Sequence, residues 1–505
     1  NMNLNLKQDR SLMAYIIVSV IAILWNLMTI GHTLPWCDEV MLLDTNATMH
    51  YYGEWATTAY NAYGQGTRPF NVYMPLYNWL MYIWVSIFGF SMLVIRTFNL
   101  VFAFMLGWAL LHLAKLINRQ NFSKVTVILY ALCFWCTDVM MMTYRMSRPE
   151  IVGSLMTVIF AIYLYKTLTS GRKYIWQMIL FAALSILAGI QSALYIVLGL
   201  IFVAFFFRPL NRLITPSICC VIGLCLGFLA ALLHMIYFQE GRAFIICIMN
   251  SSAVIMKIWG GIRSIIYPLL GKEVTPLGIP VSNEGDISLI EKIMGIFAYL
   301  GASVLFISNI ILIISNRVWK NIQEYKMPVL CFLFSIFVVI GYNLAGRYTS
   351  YYKWTAILPM LLGLLFWSRN VKQKINTAII GITSLILLVT FVIKYPLYGE
   401  TPCDRIKAFV EKQNFKPTDR IAAPFCTFYA LKPTNRFTYF YQIYPQNLIG
   451  DVDYIIIPTS DKEYSYNKAG MNKYLNEKQK DTRLCVEKID FSLNPNIALY
   501  KITKK

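Results

Sequence analysis

Asp38 and Glu39 stand side by side directly after a membrane-length apolar run, residues 12–34. Carboxylates at the exit of a spanning helix lie at the lipid–water boundary, where they stay ionised and still reach a substrate whose tail is in the bilayer. Two short turns farther along carry arginines. Tyr144-Arg145-Met146-Ser147-Arg148-Pro149-Glu150 holds two, beside a glutamate, and Gly346-Arg347-Tyr348 holds a third. Guanidinium forks match phosphate oxygens bidentately. Displacing a phosphate from the anomeric carbon of a sugar needs a base for the attacking hydroxyl or amine and cations for the departing phosphate. The residue types therefore point to transfer from a polyprenyl-phosphate sugar. In this reading Asp38 is the general base, with Glu39 as a second catalytic carboxylate. Arg68, Arg145, Arg148 and Arg347 meet the donor phosphate, and Glu150, Tyr77 and Tyr348 line the substrate pocket. One base attacking opposite the phosphate inverts the anomeric centre. Retention needs a nucleophilic carboxylate, for which Glu39 or Glu150 are the candidates.

The elements that position these residues follow from composition. Of 505 residues, 57% are hydrophobic and 14% charged, well below the roughly one-quarter charged of a soluble domain. Apolar runs recur to residue 394, which reads as a polytopic membrane protein. The net charge of +20 does not indicate a nucleic-acid partner. Residues 1–393 hold 27 Lys/Arg against 13 Asp/Glu, much of the excess in short loops between spans, where positive charge sets topology.

Six basic clusters (Lys7/Arg10, Lys115/Arg119/Lys124, Lys166/Arg172/Lys173, Arg208/Arg212, Arg317/Lys320/Lys326 and Arg369/Lys372/Lys374) fall on one side only if an even number of crossings separates them. Residues 71–90 are then the stretch that does not cross. Pro75 and the cluster Tyr73, Tyr77, Trp79, Tyr82 and Trp84 suit the membrane interface. Residues 35–91 become one external loop with a juxtamembrane helix in the membrane plane. Eleven spans follow: 12–34, 92–114, 124–143, 151–168, 174–190, 192–207, 214–238, 292–315, 328–345, 350–367 and 376–394. This threading places the N-terminus in the cytoplasm of a cell (inner) membrane protein, and the candidate site outside. A twelve-span threading with one misplaced basic loop is the alternative.

Residues 395–505 alternate short apolar runs (454–458, 484–489, 497–502) with polar helical stretches (404–413, 467–480). They read as a small extracytoplasmic α/β domain following a transmembrane domain, 1–394. Its role stays open between binding acceptor, binding glycan and bracing the outer loops. The Cys133-x-x-Cys136 pair has zinc-like spacing but lies in an apolar helix without a second pair, so no metal is assigned.

The order of these elements resembles the GT-C glycosyltransferases that use polyprenyl-phosphate sugars. The nearest branch contains the protein O-mannosyltransferases and the aminoarabinose (lipid A) transferases. The resemblance spans roughly residues 12–370. It rests on Asp38-Glu39 after the first span, Pro75 in the aromatic segment 71–90, Arg96 at the start of the next span, Arg148-Pro149-Glu150 after the third, and Gly346-Arg347-Tyr348. It implies Asp38 as general base, Arg347 beside the lipid phosphate, a polyprenyl-phosphate-sugar donor and a lipid, glycan or protein acceptor. It also implies a divalent metal in the aminoarabinose branch, but the expected ligands are absent. Tyr73-Met74-Pro75 replaces a Glu-Lys-Pro, and residues 239–291 contain no histidine. Three other classes fit parts of the pattern: an O-antigen-polymerase-like enzyme, a secondary transporter, which needs charged or broken helices at mid-membrane, and a scaffold or receptor.

Overall fold

Residues 10–55, 57, 74–119, 121–206, 211–238, 300–344, 356–368, 372–440, 452–458, 468–493 and 496–505 are described by the structure, a computed structural model. A helix occupies each stretch expected to span. These are α1 (Arg10–Met28), α4 (Met92–Asn118), α5 (Lys124–Cys136) with α6 (Asp138–Arg145), α7 (Glu150–Ser170), α8 (Ile175–Ala188), α9 (Ile190–Phe206), α10 (Asn211–Tyr237), α11 (Leu300–Ser315), α12 (Lys326–Leu344), α13 (Ile357–Trp367) and α14 (Gln373–Lys394). Between α1 and α4 lie α2 (Cys37–Tyr52) and α3 (Leu76–Phe88). Among the described residues six helices are long and apolar enough to cross a membrane alone, and α5–α6 together would make a seventh. Others are short: α8 has 14 residues, about 21 Å at 1.5 Å per residue, against a hydrocarbon core of about 30 Å. Helix length alone thus does not deliver eleven crossings.

The lipid-facing character is visible in what stays exposed. Ile17, Ile21 and Leu24 on α1, Ile218, Val221 and Leu229 on α10, and Ile382, Leu385 and Val389 on α14 are large, apolar and uncovered. Such continuous apolar faces belong against lipid tails. Inside, small residues let backbones approach. Gly223 and Gly227 of α10 lie against the carbonyls of Ile179 and Ala183 of α8, the close packing that stands in for the hydrophobic drive absent in lipid.

Two expectations are corrected. Residues 124–143 do not form one straight span: the chain turns by 62° between α5 and α6. Thr137 there is extended, and Asp138 Oδ1 accepts the Val139 and Gly301 N–H groups at 2.8 and 3.0 Å. The side chain thereby ties the bend to α11. The external loop after α1 is also more regular than expected, because Asp38-Glu39 opens the 16-residue helix α2. The 13-residue α3 buries Tyr77, Met81 and Val85 at four-residue spacing and exposes Ile83 and Ile87. At about 20 Å it is, like α8, shorter than the hydrocarbon core.

Beyond α14 come α15 (Pro402–Lys412), β1 (Ile421–Ala423), α16 (Phe428–Leu431), β2 (Thr438–Phe440), β3 (Tyr454–Pro458), α17 (Lys468–Lys480), β4 (Leu484–Leu493) and β5 (Asn496–Lys504). The strands form one mixed sheet in the order β2-β1-β3-β5-β4, with β1 parallel to β2 and β3, and β5 antiparallel to β3 and β4. Alternation along β3 explains its unbroken apolar run. Ile455 and Ile457 pack with Tyr474 and Leu475 of α17, while Ile456 turns to the opposite core. That opposite core is continuous with the membrane helices. It joins Phe409, Phe425, Phe428 and Leu431 to Val40, Leu43, Phe90 and Ile95 in one cluster.

Candidate active site at the head of α2

Consecutive residues on a helix point about 100° apart, so Asp38 and Glu39 cannot face the same way. Both lie in the first turn of α2, where negative charge complements the helix dipole. Glu39 points inward and is fully buried. Arg96 of α4 grips it bidentately, Nε to Oε1 and Nη2 to Oε2, both at 3.0 Å. The Tyr429 hydroxyl of α16 donates to Oε1 at 2.8 Å. Arg96 Nη1 donates to the carbonyls of Ile30 and Thr33 at 2.9 and 2.6 Å, where the chain leaves the first span. This is a closed, neutral pair with its remaining hydrogen-bonding capacity largely satisfied. Glu39 was expected as a second catalytic carboxylate; packing closes it off instead. Arg96, close to a helix end, was not among the candidate site residues, although a guanidinium in an apolar run is a signal of a buried partner.

Asp38 points the other way and keeps 15% of its side chain exposed. Arg148 Nη1 meets its Oδ2 at 2.8 Å. The other edge of the Arg148 fork holds Glu150, Nη2 to Oε1 at 2.6 Å and Nε to Oε2 at 3.1 Å. The guanidinium lies 5.3 Å from the ring centre of Trp36. Asp38, Arg148 and Glu150 are thus brought together as expected, but as two carboxylates around one cation. Arg148 is thus held by carboxylates on both edges of its fork.

Buried polar groups hold the turn that carries Arg148. Asn99 Nδ2 of α4 donates to the carbonyls of Thr143 and Arg148, both at 3.1 Å. The Tyr77 hydroxyl donates to the Ser147 carbonyl at 2.7 Å and lies 3.0 Å from Asn99 Oδ1. Ser147 adopts φ +47°, a left-handed backbone that favours glycine, and these bonds fix it there. Tyr77, expected in the substrate pocket, is 1% exposed and supports the turn from behind. Arg145, expected at the phosphate, is buried as well. Its fork is spent on Thr33 Oγ1, Asn26 Oδ1, Thr29 Oγ1 and the Thr29 carbonyl of the first span and its exit, and it stacks 3.9 Å from the Tyr395 ring centre. Arg68, Arg347 and Tyr348 lie outside the described residues.

A second acidic anchor on α2 was not anticipated. Asp44 and Lys432, both fully buried, pair at 2.7 Å, and Thr57 Oγ1 donates to Asp44 Oδ2 at 2.8 Å. No group of three or more His, Cys, Asp or Glu side chains comes together with metal-binding potential among the described residues.

The fold and site together define a polytopic helical membrane protein whose C-terminal α/β domain is docked on an acid-bearing helix at the membrane exit. No family model matches the sequence, and no curated protein matches it. Among solved structures, ArnT from Cupriavidus metallidurans in the apo state is similar, with a TM-score of 0.46 at 12% identity over 97% of each chain. The same protein bound to undecaprenyl phosphate gives a TM-score of 0.45 at 11% identity, again over 97% of each chain.

Proposed function

We propose that this protein is an integral-membrane glycosyltransferase that moves a sugar from a polyprenyl-phosphate donor to an acceptor outside the cytoplasm. The observation that carries this reading is Asp38: a partly exposed carboxylate, fixed by Arg148, on the first turn of a helix that begins where the first apolar helix ends. A hydroxyl or amine of the acceptor attacks the anomeric carbon and gives its proton to Asp38. The bond from that carbon to the phosphate oxygen breaks, and the phosphate leaves on its lipid with the electron pair.

Both edges of the Arg148 fork are engaged by carboxylates, which supports a departing group on the other side of the sugar from Asp38. That separation supports attack opposite the leaving group and inversion. Arg148 and Glu150 act by orienting Asp38, and Arg68 and Arg347 are the proposed cations for the phosphate. Glu39, Arg96, Arg145 and Tyr77 act as supports.

The test is release of polyprenyl phosphate from polyprenyl-phosphate sugars by full-length protein in proteoliposomes. Asp38→Asn keeps the shape and removes the base. We expect transfer to fall by about 10²-fold or more, with unchanged yield and melting temperature. Parent-level transfer by the variant would sink the mechanism.

A further inference from the structure

We propose that the C-terminal domain is a constituent of the catalytic centre: Tyr429 and Lys432 hold α2 so that Asp38 stays in register with Arg148. The proposal rests on the reading of Asp38 as the base and assigns the domain its role in that reaction. Tyr429 and Lys432 lie three residues apart on α16 and its C-terminal cap, so they reach toward one neighbour. That neighbour is α2. Tyr429 donates to Glu39 in its first turn, Lys432 pairs with Asp44 in its middle, and the Tyr52 hydroxyl in its last turn donates to the Lys432 carbonyl at 2.7 Å. Just before α2, Cys403 Sγ approaches the Thr33 carbonyl at 3.6 Å, and just after it Arg436 pairs with Glu54. The domain therefore meets this helix along its whole length.

Two features separate positioning from simple adhesion. The first turn of α2 receives no side-chain cap hydrogen bond, because its cap residue is Trp36. Order in the turn that carries Asp38 depends on tertiary partners. Apolar packing already joins the domain to the helices, and a buried ion pair is a poor means of adding stability. Lys432–Asp44 and Tyr429–Glu39 instead select one rotation and one height of α2. A general base needs that selection, since a displacement of about 1 Å can cost about 10²-fold in rate.

The experiment uses the full chain in lipid nanodiscs with two readouts. Amide hydrogen exchange over Cys37–Tyr52 reports the grip on α2 without any substrate. Polyprenyl-phosphate-sugar turnover, resolved into kcat and KM, reports positioning. Tyr429→Phe keeps the ring and removes only the donor to Glu39. Exchange at the head of α2 is expected to quicken about tenfold, and kcat to fall about tenfold with KM nearly unchanged, as for the loss of one charge-assisted hydrogen bond. Lys407→Ala, on α15 of the same domain, removes an exposed pair with Glu411 that does not touch α2 and is expected to change neither readout.

Parent-like exchange and parent-like kcat in Tyr429→Phe overturn the proposal. So does a fall in kcat that merely tracks a lower melting temperature of the whole protein. A parent that turns over no polyprenyl-phosphate sugar removes the catalytic reading itself. Faster exchange in the variant would then identify the domain as a structural clamp alone.

Discussion

At the scale of single residues, two adjacent carboxylates have opposite fates because a helix rotates them apart. Glu39 disappears into a bidentate pair with Arg96, while Asp38 keeps contact with solvent beside Arg148. Sequence order made the acidic pair conspicuous, and burial alone separates the two carboxylates. Cys403 shows the same control by surroundings. Burial pushes its thiol up to about 11 from 9.0, against the opposing pull of the Arg96 charge. The thiol therefore stays protonated in the folded protein where a free one begins to ionise. Its contribution to stability is full below about pH 9 and is lost as pH rises toward about 11, because the unfolded chain ionises first. At pH 8, alkylation resolved by peptide mass spectrometry should label exposed Cys485 readily. Cys403 should react about 100-fold more slowly than an ordinary thiol, as its thiolate fraction dictates. Equal rates at the two cysteines would contradict its burial.

At the scale of elements, hydropathy located the helices well, because spans need long apolar runs whatever they pack against. It did not show where a run would break or how closely two runs would approach. The bend before Asp138 depends on a carboxylate meeting Gly301, a residue 163 positions away. The α8–α10 contact depends on Gly223 and Gly227 falling opposite bare carbonyls. A Cβ at Gly227 would press on the carbonyl of Ala183 and the side chain of Ile186, neither of which can retreat without moving α8. Gly227→Val should therefore destabilise the protein by about 1–3 kcal/mol, read as a lower melting temperature in detergent. Gly381→Ala, which meets nothing within 4 Å, should leave it unchanged or slightly higher. Equal melting temperatures for the two variants would mean that α8 and α10 do not pack this way.

At the scale of the whole molecule, the C-terminal domain is not an appendage. Trp25 of α1 donates to the Tyr395 carbonyl at 3.0 Å, and Arg145 stacks on the Tyr395 ring. The apolar cluster runs without interruption from the spans into the sheet. Residues 1–394 expressed alone should therefore lose the Lys432 contact to Asp44 and the Tyr429 contact to Glu39, and leave apolar surface uncovered. Aggregation in detergent, or a melting temperature far below that of the full chain, is the expected result on size exclusion and thermal unfolding. A monodisperse fragment with the parent's melting temperature would show that the membrane part is complete without the domain.

The sequence by itself determined the polytopic helical body, the short apolar helix after Pro75, the α/β character of the tail and the acidic pair after the first apolar run. Each of these follows from hydrophobic length, periodicity or chain order, which are local properties. Only the tertiary structure decided which carboxylate faces out and that Arg145, Arg148 and Tyr77 are held inside a hydrogen-bonded turn. It also joined Arg96, Tyr429 and Lys432 to α2, the last two from nearly 400 residues away in the chain. Those facts rest on buried polar groups having to find partners wherever the fold supplies them, and no local pattern encodes that search.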